Sequence, residues 1–188
     1  MGLDICLLRV TKPHNIENRV YTREELASMK LSAIPASLLQ CQEAEDLAPY
    51  CQEIQLKIPY INIEKIREDY GLPESAEVVM QSGDGSICVS TDSGESDYID
   101  ISHEIIQKKY SKIKVESYAA FQKTEVGYWR KDYDIADFFS EQFEKRIENT
   151  GYYAVSAEIL EKFNEEFNED VPVEDPSEES AIFYWEWY

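Results

Sequence analysis

Apolar residues recur along the chain with two different periods, and each period predicts a different kind of element. They alternate with polar residues over residues 51–58 and 112–123, which is the pattern of a strand with one buried face. They recur at every third or fourth position over residues 132–147 and after Ser156, which predicts two amphipathic helices. Residues 3–10 are almost continuously apolar, and we expect them to form a strand that is buried on both faces.

Capping and turn residues divide these elements from one another. Asn62 and Ser156 each precede a periodic stretch and are predicted to cap a helix, and Thr22 with Glu25 has the spacing of a capping box. Two β-branched runs lie on either side of a Ser-Gly-Asp-Gly turn at residues 82–85, which predicts a β-hairpin, and residues 92–97 form a second predicted turn. Strands and short helices without regular β-α-β alternation predict an α+β fold with a mostly antiparallel sheet and several short helices packed on it.

The best-patterned segment is residues 132–147. Its apolar stripe repeats every four residues through Ile135, Phe139, Phe143 and Ile147, and Asp132 or Asp134 can cap its first turn. Lysine and arginine follow at 145 and 146, and an Asn-Thr-Gly sequence at 149–151 is expected to end the helix.

The expected domain organisation is a single α+β domain over residues 1–170. Residues 171–180 are acidic and contain two prolines, which indicates a linker. Residues 181–188 are almost entirely aromatic and aliphatic, so they are not expected to stay solvated. They form either a final edge strand of the sheet or a tail that binds a partner, and the strand is the preferred alternative.

Charge is the strongest global property of the chain. It contains 38 acidic and 18 basic side chains, for a net charge of −20, and residues 132–188 alone hold 17 acidic and three basic side chains. A field of this sign repels nucleic acids and anionic membranes and attracts basic surfaces. We therefore expect neither direct nucleic-acid binding nor membrane binding.

Recognisable catalytic and cofactor motifs are not present in the sequence. It contains no nucleophile elbow, no phosphate-binding glycine loop and no zinc-protease helix, and its four cysteines and two histidines lack the spacing of a zinc site. No catalytic residue, metal ligand or cofactor site is therefore assigned, and an enzyme is not the preferred interpretation. Since no run of 18 apolar residues and no basic-flanked signal segment occurs, the expected location is the cytoplasm.

A compact aromatic and cationic cluster stands in the middle of the chain, at Tyr128, Trp129, Arg130 and Lys131. Large rings with polar atoms beside guanidinium and ammonium groups are suited to an anionic or planar ligand. In the alternative interpretation the rings belong to the core and the cations form ion pairs with nearby carboxylates. Gly127, just before them, permits a close backbone approach or a bulge.

The same stretch carries a resemblance. The run Glu-Val-Gly-Tyr-Trp-Arg-Lys at 125–131, the Phe138–Phe139 pair, the run Gly-Tyr-Tyr-Ala-Val-Ser at 151–156 and the opening Met-Gly-Leu-Asp resemble a family of small uncharacterised phage and prophage proteins. The resemblance covers the first residues and about 125–163. It implies a phage origin and a bacterial host, and it implies no particular activity.

The functional expectation combines this resemblance with the charge. Helical periodicity after Ser156 places Glu158, Glu161, Glu165 and Glu166 on the outer face, with Asp137, Glu141, Glu144 and Glu148 on the polar side of the preceding helix. We expect an interaction protein that binds and inhibits a basic nucleic-acid-binding host or defence protein, with nucleic-acid mimicry as one way of binding. The alternative is a small enzyme or a small-ligand-binding protein that uses Tyr128, Trp129 and Arg130.

Overall fold

The computed structural model describes residues 3–90, 98–143 and 147–188. The chain divides into two compact units, which we call unit 1 (Met1–Leu56 with Glu116–Tyr188) and unit 2 (Lys57–Val115). Both helices and strands are present and the strands pair mostly antiparallel, so the predicted α+β class is confirmed.

The strands and helices are numbered in chain order. The strands are β1 (Asp4–Thr11), β2 (Val20–Tyr21), β3 (Leu31–Pro35), β4 (Gln52–Ile61), β5 (Val78–Gln81), β6 (Ile87–Ser90), β7 (Tyr98–Ile101), β8 (Ser111–Arg130), β9 (Tyr153–Val155) and β10 (Ser180–Trp187). The helices are α1 (Arg23–Ser28), α2 (Ile63–Tyr70), α3 (His103–Ile105), α4 (Tyr133–Gln142) and α5 (Ala157–Phe167). Short 3₁₀ turns at Ala36–Gln40 and Glu45–Tyr50 and a π-helical turn at Ile106–Tyr110 complete the regular structure of the described residues.

A seven-stranded sheet has the order β2-β4-β8-β1-β10-β9, with β3 paired to β8 off this path. Strand β1 pairs antiparallel with both β8 and β10, while β2 and β4 pair in parallel. A three-stranded sheet in unit 2 has the order β5-β6-β7, and its first two strands form the predicted hairpin.

The aromatic C-terminal segment forms strand β10, but not at the edge of the sheet. It lies between β1 and β9 and is paired on both sides, so the expectation of a final edge strand was wrong. The four consecutive residues Ala181–Tyr184 have no exposed surface. A run of buried residues needs cover on both faces of the sheet, which an interior strand has and a solvated edge lacks.

Side chains of β1 alternate between two cores in unit 1. Ile5 and Leu7 belong to the core that α4 and α5 cover, which we call the helix-side core. Cys6, Leu8 and Val10 belong to the core on the opposite face, where the Glu45–Tyr50 turn packs. Both faces of β1 are buried, as its continuous apolar run predicts.

The predicted caps are confirmed. Thr22 and Glu25 form both hydrogen bonds of a capping box, Asn62 Oδ1 accepts from the Lys65 amide, and Ser156 Oγ accepts from the Ile159 amide. These bonds satisfy donors that the first turn of a helix leaves free, and each typically stabilises its helix by about 1 kcal/mol.

Helix α4 is shorter than the predicted segment of residues 132–147. Asp132 caps it as expected, but it ends at Gln142, and Phe143 has extended backbone angles of −92° and 132°. Phe143 and Ile147 still pack on the helix-side core, where the Phe143 ring lies 5.5 Å from that of Tyr153. Tertiary packing, and not continued helical periodicity, therefore buries the end of the stripe. Residues 144–146 and the predicted turn at 92–97 lie outside the described residues.

Residues 171–179 contain no helix or strand, and they lie along unit 1. Val171 is 5% exposed within the helix-side core, and the Arg9 guanidinium donates to both carboxylate oxygens of Glu174. The Asp175 carboxylate accepts from the Ala157 amide at the start of α5. The segment predicted as a linker thus carries specific contacts within unit 1.

Candidate functional site

The aromatic and cationic cluster is divided between the two faces of the sheet. Strand β8 bulges against β1, because Leu7 pairs with Gly127 while Leu8 pairs with Glu125. From Gly127 onward the side chains alternate, so Trp129 points to one face while Tyr128 and Arg130 point to the other. The four residues predicted from sequence as one patch therefore do not form one surface.

Trp129 packs on the helix-side core and holds α5 in place. Its ring lies 5.1 Å from that of Phe163, edge to face, and its Nε1 donates to Glu169 Oε1 at 2.8 Å, just beyond the end of α5. The indole also lies over Gly127, where any Cβ would collide with it. The glycine is thus explained by the ring, and both the apolar surface and the polar atom of Trp129 are used within unit 1.

Tyr128 and Arg130 lie together on the opposite face, around Asp4. The Tyr128 hydroxyl donates to Asp4 Oδ1 at 2.9 Å, which raises the pKa of Tyr128, and Arg130 Nε lies 3.6 Å from the same oxygen. Arg130 is 67% exposed, so this ion pair contributes little to stability. Lys131 follows the strand with a positive φ of 58° and an exposed side chain.

A cleft of about 640 Å³ opens on this same face beside the half-buried Trp185. Ile34, Leu38 and Tyr152 supply apolar lining, and Glu43 supplies a carboxylate. Lys123 Nζ lies 6.0 Å from the centre of the Trp185 ring. The sequence places Trp185 in the aromatic C-terminal segment but does not predict that it lines a cleft. Its position opposite Cys6 depends on the interior position of β10 in the sheet.

The outer face of α5 is acidic, as the helical periodicity predicts. Leu160 and Phe163 point into the helix-side core. All four predicted glutamates are exposed: Glu158, Glu161, Glu165 and Glu166. We call these four residues the α5 acidic face.

One lysine lies among these carboxylates. Lys162 Nζ bonds Glu158 Oε1 at 2.8 Å, and this bond lowers the pKa of Glu158. Within the described parts of the chain, Glu161, Glu165 and Glu166 have no cation at ion-pair distance. Most of the charge of the α5 acidic face is therefore not neutralised by the residues that the structure describes.

Helix α4 lies beside α5 and adds further exposed carboxylates. The Phe138 ring lies 5.7 Å from Phe163 and 5.6 Å from Phe167, so the two helices pack against each other. Asp137 and Glu141 of α4 are exposed, as is Glu148 beyond it, while Glu144 lies outside the described residues. Exposed acidic residues therefore lie on both of these neighbouring helices.

One functional candidate was missed by the sequence reasoning. Glu186 is 7% exposed, and the Tyr184 hydroxyl donates to its Oε2 at 2.6 Å. Burial, and then this hydrogen bond, raises the pKa of Tyr184. The sequence indication of this residue is that Glu186 is the one acid within the run Ile-Phe-Tyr-Trp-Glu-Trp-Tyr. Strand alternation places it on the same side of β10 as the buried Tyr184.

Within the described residues, no group of three or more His, Cys, Asp or Glu side chains is arranged to hold a metal ion. Across the same residues, no helix is both long and apolar enough to cross a membrane.

Comparison of the chain with protein-family models, curated proteins and solved structures found no match.

Proposed function

We propose that this protein binds a basic protein surface through the α5 acidic face, extended by the exposed carboxylates of α4. The observation that carries the proposal is that Glu161, Glu165 and Glu166 are exposed on one helix and have no cation partner among the described residues. Like charges three or four residues apart on a helix cost stability. A partner that supplies lysine and arginine removes this repulsion when it binds.

The spacing of these carboxylates suits a surface that normally binds nucleic acid. At a rise of about 1.5 Å per residue, successive carboxylates of α5 are about 4.5, 6 and 1.5 Å apart along the axis, which is about 4 Å on average. The phosphates along one strand of DNA follow at about 3.4 Å. A groove lined with cations for one strand therefore meets a similar density of negative charge on α5, so nucleic-acid mimicry is part of the proposal.

The surface is also held rigidly, which favours tight association. Ser156 caps the start of α5, Trp129 packs against its Phe163, and Trp129 Nε1 bonds Glu169 after its end. A surface that is ordered before binding loses less conformational entropy when the complex forms.

The proposed partner class follows from charge complementarity and from the phage resemblance together. It is a basic nucleic-acid-binding protein or defence complex of a bacterial host, which this protein meets in the host cytoplasm and inhibits by covering its nucleic-acid groove. The geometry gives less support to a small-ligand site built from Tyr128, Trp129 and Arg130, because Trp129 faces the helix-side core while the other two face away from it.

The test uses immobilised protein in a bacterial lysate and two variants with equal charge changes. Reversing Glu161, Glu165 and Glu166 to Lys should abolish capture of nucleic-acid-binding proteins, and duplex DNA should displace them from the unmodified protein. The control reverses Glu74, Glu77 and Glu104, which are exposed in unit 2, and should capture as before. Equal capture by the α5 variant, or capture that DNA does not displace, would contradict the proposal.

A further inference from the structure

Among the described residues, Glu186 is the one charged residue that is buried. In the part of the chain that the structure describes, the Tyr184 hydroxyl is the side chain that donates to it, and no lysine, arginine or histidine of these residues forms an ion pair with it. An ionised carboxylate accepts about four hydrogen bonds and is costly to bury without a cation. A buried carboxylate without a cation among the described residues is suited to bind a positively charged group.

A pocket of about 510 Å³ gives Glu186 access to such a group. Buried and half-buried side chains of Leu3, Ala136 and Ile147 form apolar walls around the carboxylate. The pocket lies between the first turns of α4 and the end of β10 in unit 1. Its volume suits a small organic molecule, since ligand pockets in proteins usually range from about 300 to 1,000 Å³.

Residues at the exposed side of the pocket add to the same preference. Tyr133 and Tyr188 line it and are 63% and 54% exposed, and Asp137 contributes a second carboxylate. Aromatic faces attract cations, and a second negative charge repels anions. The buried carboxylate of Glu186, the second carboxylate of Asp137 and the exposed tyrosine rings therefore favour a positively charged ligand with an apolar body.

We propose that this pocket binds a small organic cation with a primary ammonium group and an apolar or aromatic body. The ammonium group bonds the Glu186 carboxylate, whose second partner is the Tyr184 hydroxyl. The apolar body lies against Leu3, Ala136 and Ile147, where its transfer from water is favourable. Selectivity comes from the buried carboxylate, because a neutral or anionic analogue of the same shape brings no positive charge to it.

The site differs in chemistry from the α5 acidic face, and Asp137 of α4 lies both in the pocket lining and among the carboxylates that extend that face. Binding there involves an enclosed carboxylate and a small guest, whereas the α5 acidic face presents exposed carboxylates to a large partner. Neither Glu186→Gln nor the reversal of Glu161, Glu165 and Glu166 changes Asp137, so the two proposals can fail separately.

The first test needs no variant and uses three probes of nearly equal shape: phenethylamine, 2-phenylethanol and phenylacetate. Binding is measured by calorimetry and by NMR shifts of the Ala136 and Ile147 methyl groups. We expect phenethylamine to bind at least tenfold more tightly than the alcohol, and phenylacetate not to bind. Equal affinity for the amine and the alcohol, or no binding of the amine at millimolar concentration, would overturn the proposal.

The second test removes the charge while keeping the shape. Glu186→Gln should weaken phenethylamine binding at least tenfold and leave binding of 2-phenylethanol unchanged. Glu64→Gln makes the same chemical change at an exposed position of α2 and should leave amine binding intact. Unchanged amine affinity in a folded Glu186→Gln protein would show that the carboxylate does not recognise the guest.

Discussion

Helices α2 and α5 begin and end in the same way, but their outer faces differ. Asn62 and Ser156 cap their first turns, and Gly71 and Asn168 follow their last turns with positive φ angles of 64° and 52°. Each helix buries one apolar face in the core of its own unit. The local rules that start, stop and orient the two helices are therefore closely matched.

The charges on the two outer faces are arranged differently. In α2, Lys65 bonds both Glu68 and Asp69, so the helix neutralises much of its own charge. In α5, Lys162 bonds Glu158 while Glu161 and Glu165, one turn apart, face each other with like charge. A stable helix of this kind does not require such an excess of acid, as α2 demonstrates. The excess of acid on α5 is therefore not needed to form the helix, which supports the proposal that this face binds a basic partner.

The largest expected effect comes from removing the side chain that anchors α5 to the sheet. Trp129→Ala should lower the free energy of unfolding by about 3–5 kcal/mol, because it removes the ring against Phe163 and the bond to Glu169. Arg130→Ala removes a neighbouring but exposed side chain and should cost less than about 1 kcal/mol. Urea unfolding followed by circular dichroism measures both, and equal losses would contradict the division of the cluster between two faces.

A smaller effect is expected from removing the capping side chain of each helix, which tests whether the two caps stabilise α2 and α5 equally. Asn62→Ala and Ser156→Ala should each cost about 1 kcal/mol, because each leaves a first-turn amide without its acceptor. Hydrogen exchange of the α2 and α5 amides locates each loss in its own helix. If only one of the two variants lost stability, the caps would not support the two helices equally. Helix α2 would then no longer be a valid reference for the charges of α5.

The smallest effect separates stability from binding within α5. Glu161→Lys places a cation three residues from Glu158 and four from Glu165, so it should stabilise the protein by about 0.5–1 kcal/mol. The same change should weaken capture of a basic partner, because it reverses a charge at the centre of the α5 acidic face. A thermal melt and a binding assay on one sample would show both effects. A variant that is more stable and binds equally well would argue against the functional assignment.

Local chemistry made part of this fold predictable. The sequence predicts Thr22, Asn62 and Ser156 as caps, which the structure confirms, because capping needs only a side-chain oxygen and a nearby amide of the same turn. The exposure of Glu161 and Glu165 followed from helical periodicity, which is also local.

The remaining features depend on long-range pairing. The side of the sheet that Trp129 faces depends on the bulge opposite Leu7 and Leu8, and the interior position of β10 depends on its pairing with β1. The end of α4 at Gln142 depends on where the Phe143 ring packs. For the same reason Glu186 was not identified as a site, since its burial requires elements that lie far apart in the sequence.

The most direct test of the proposed function is the association rate of the captured partner as a function of salt. Long-range attraction by exposed charges is screened over about 8 Å at physiological ionic strength, and it acts mainly on the association rate. We predict that association with the unmodified protein slows at least tenfold between about 50 and 500 mM salt. Reversal of Glu161, Glu165 and Glu166 to Lys should slow it at least as much at low salt. A folded triple variant that associates at the unmodified rate would contradict the proposal that the α5 acidic face binds the partner.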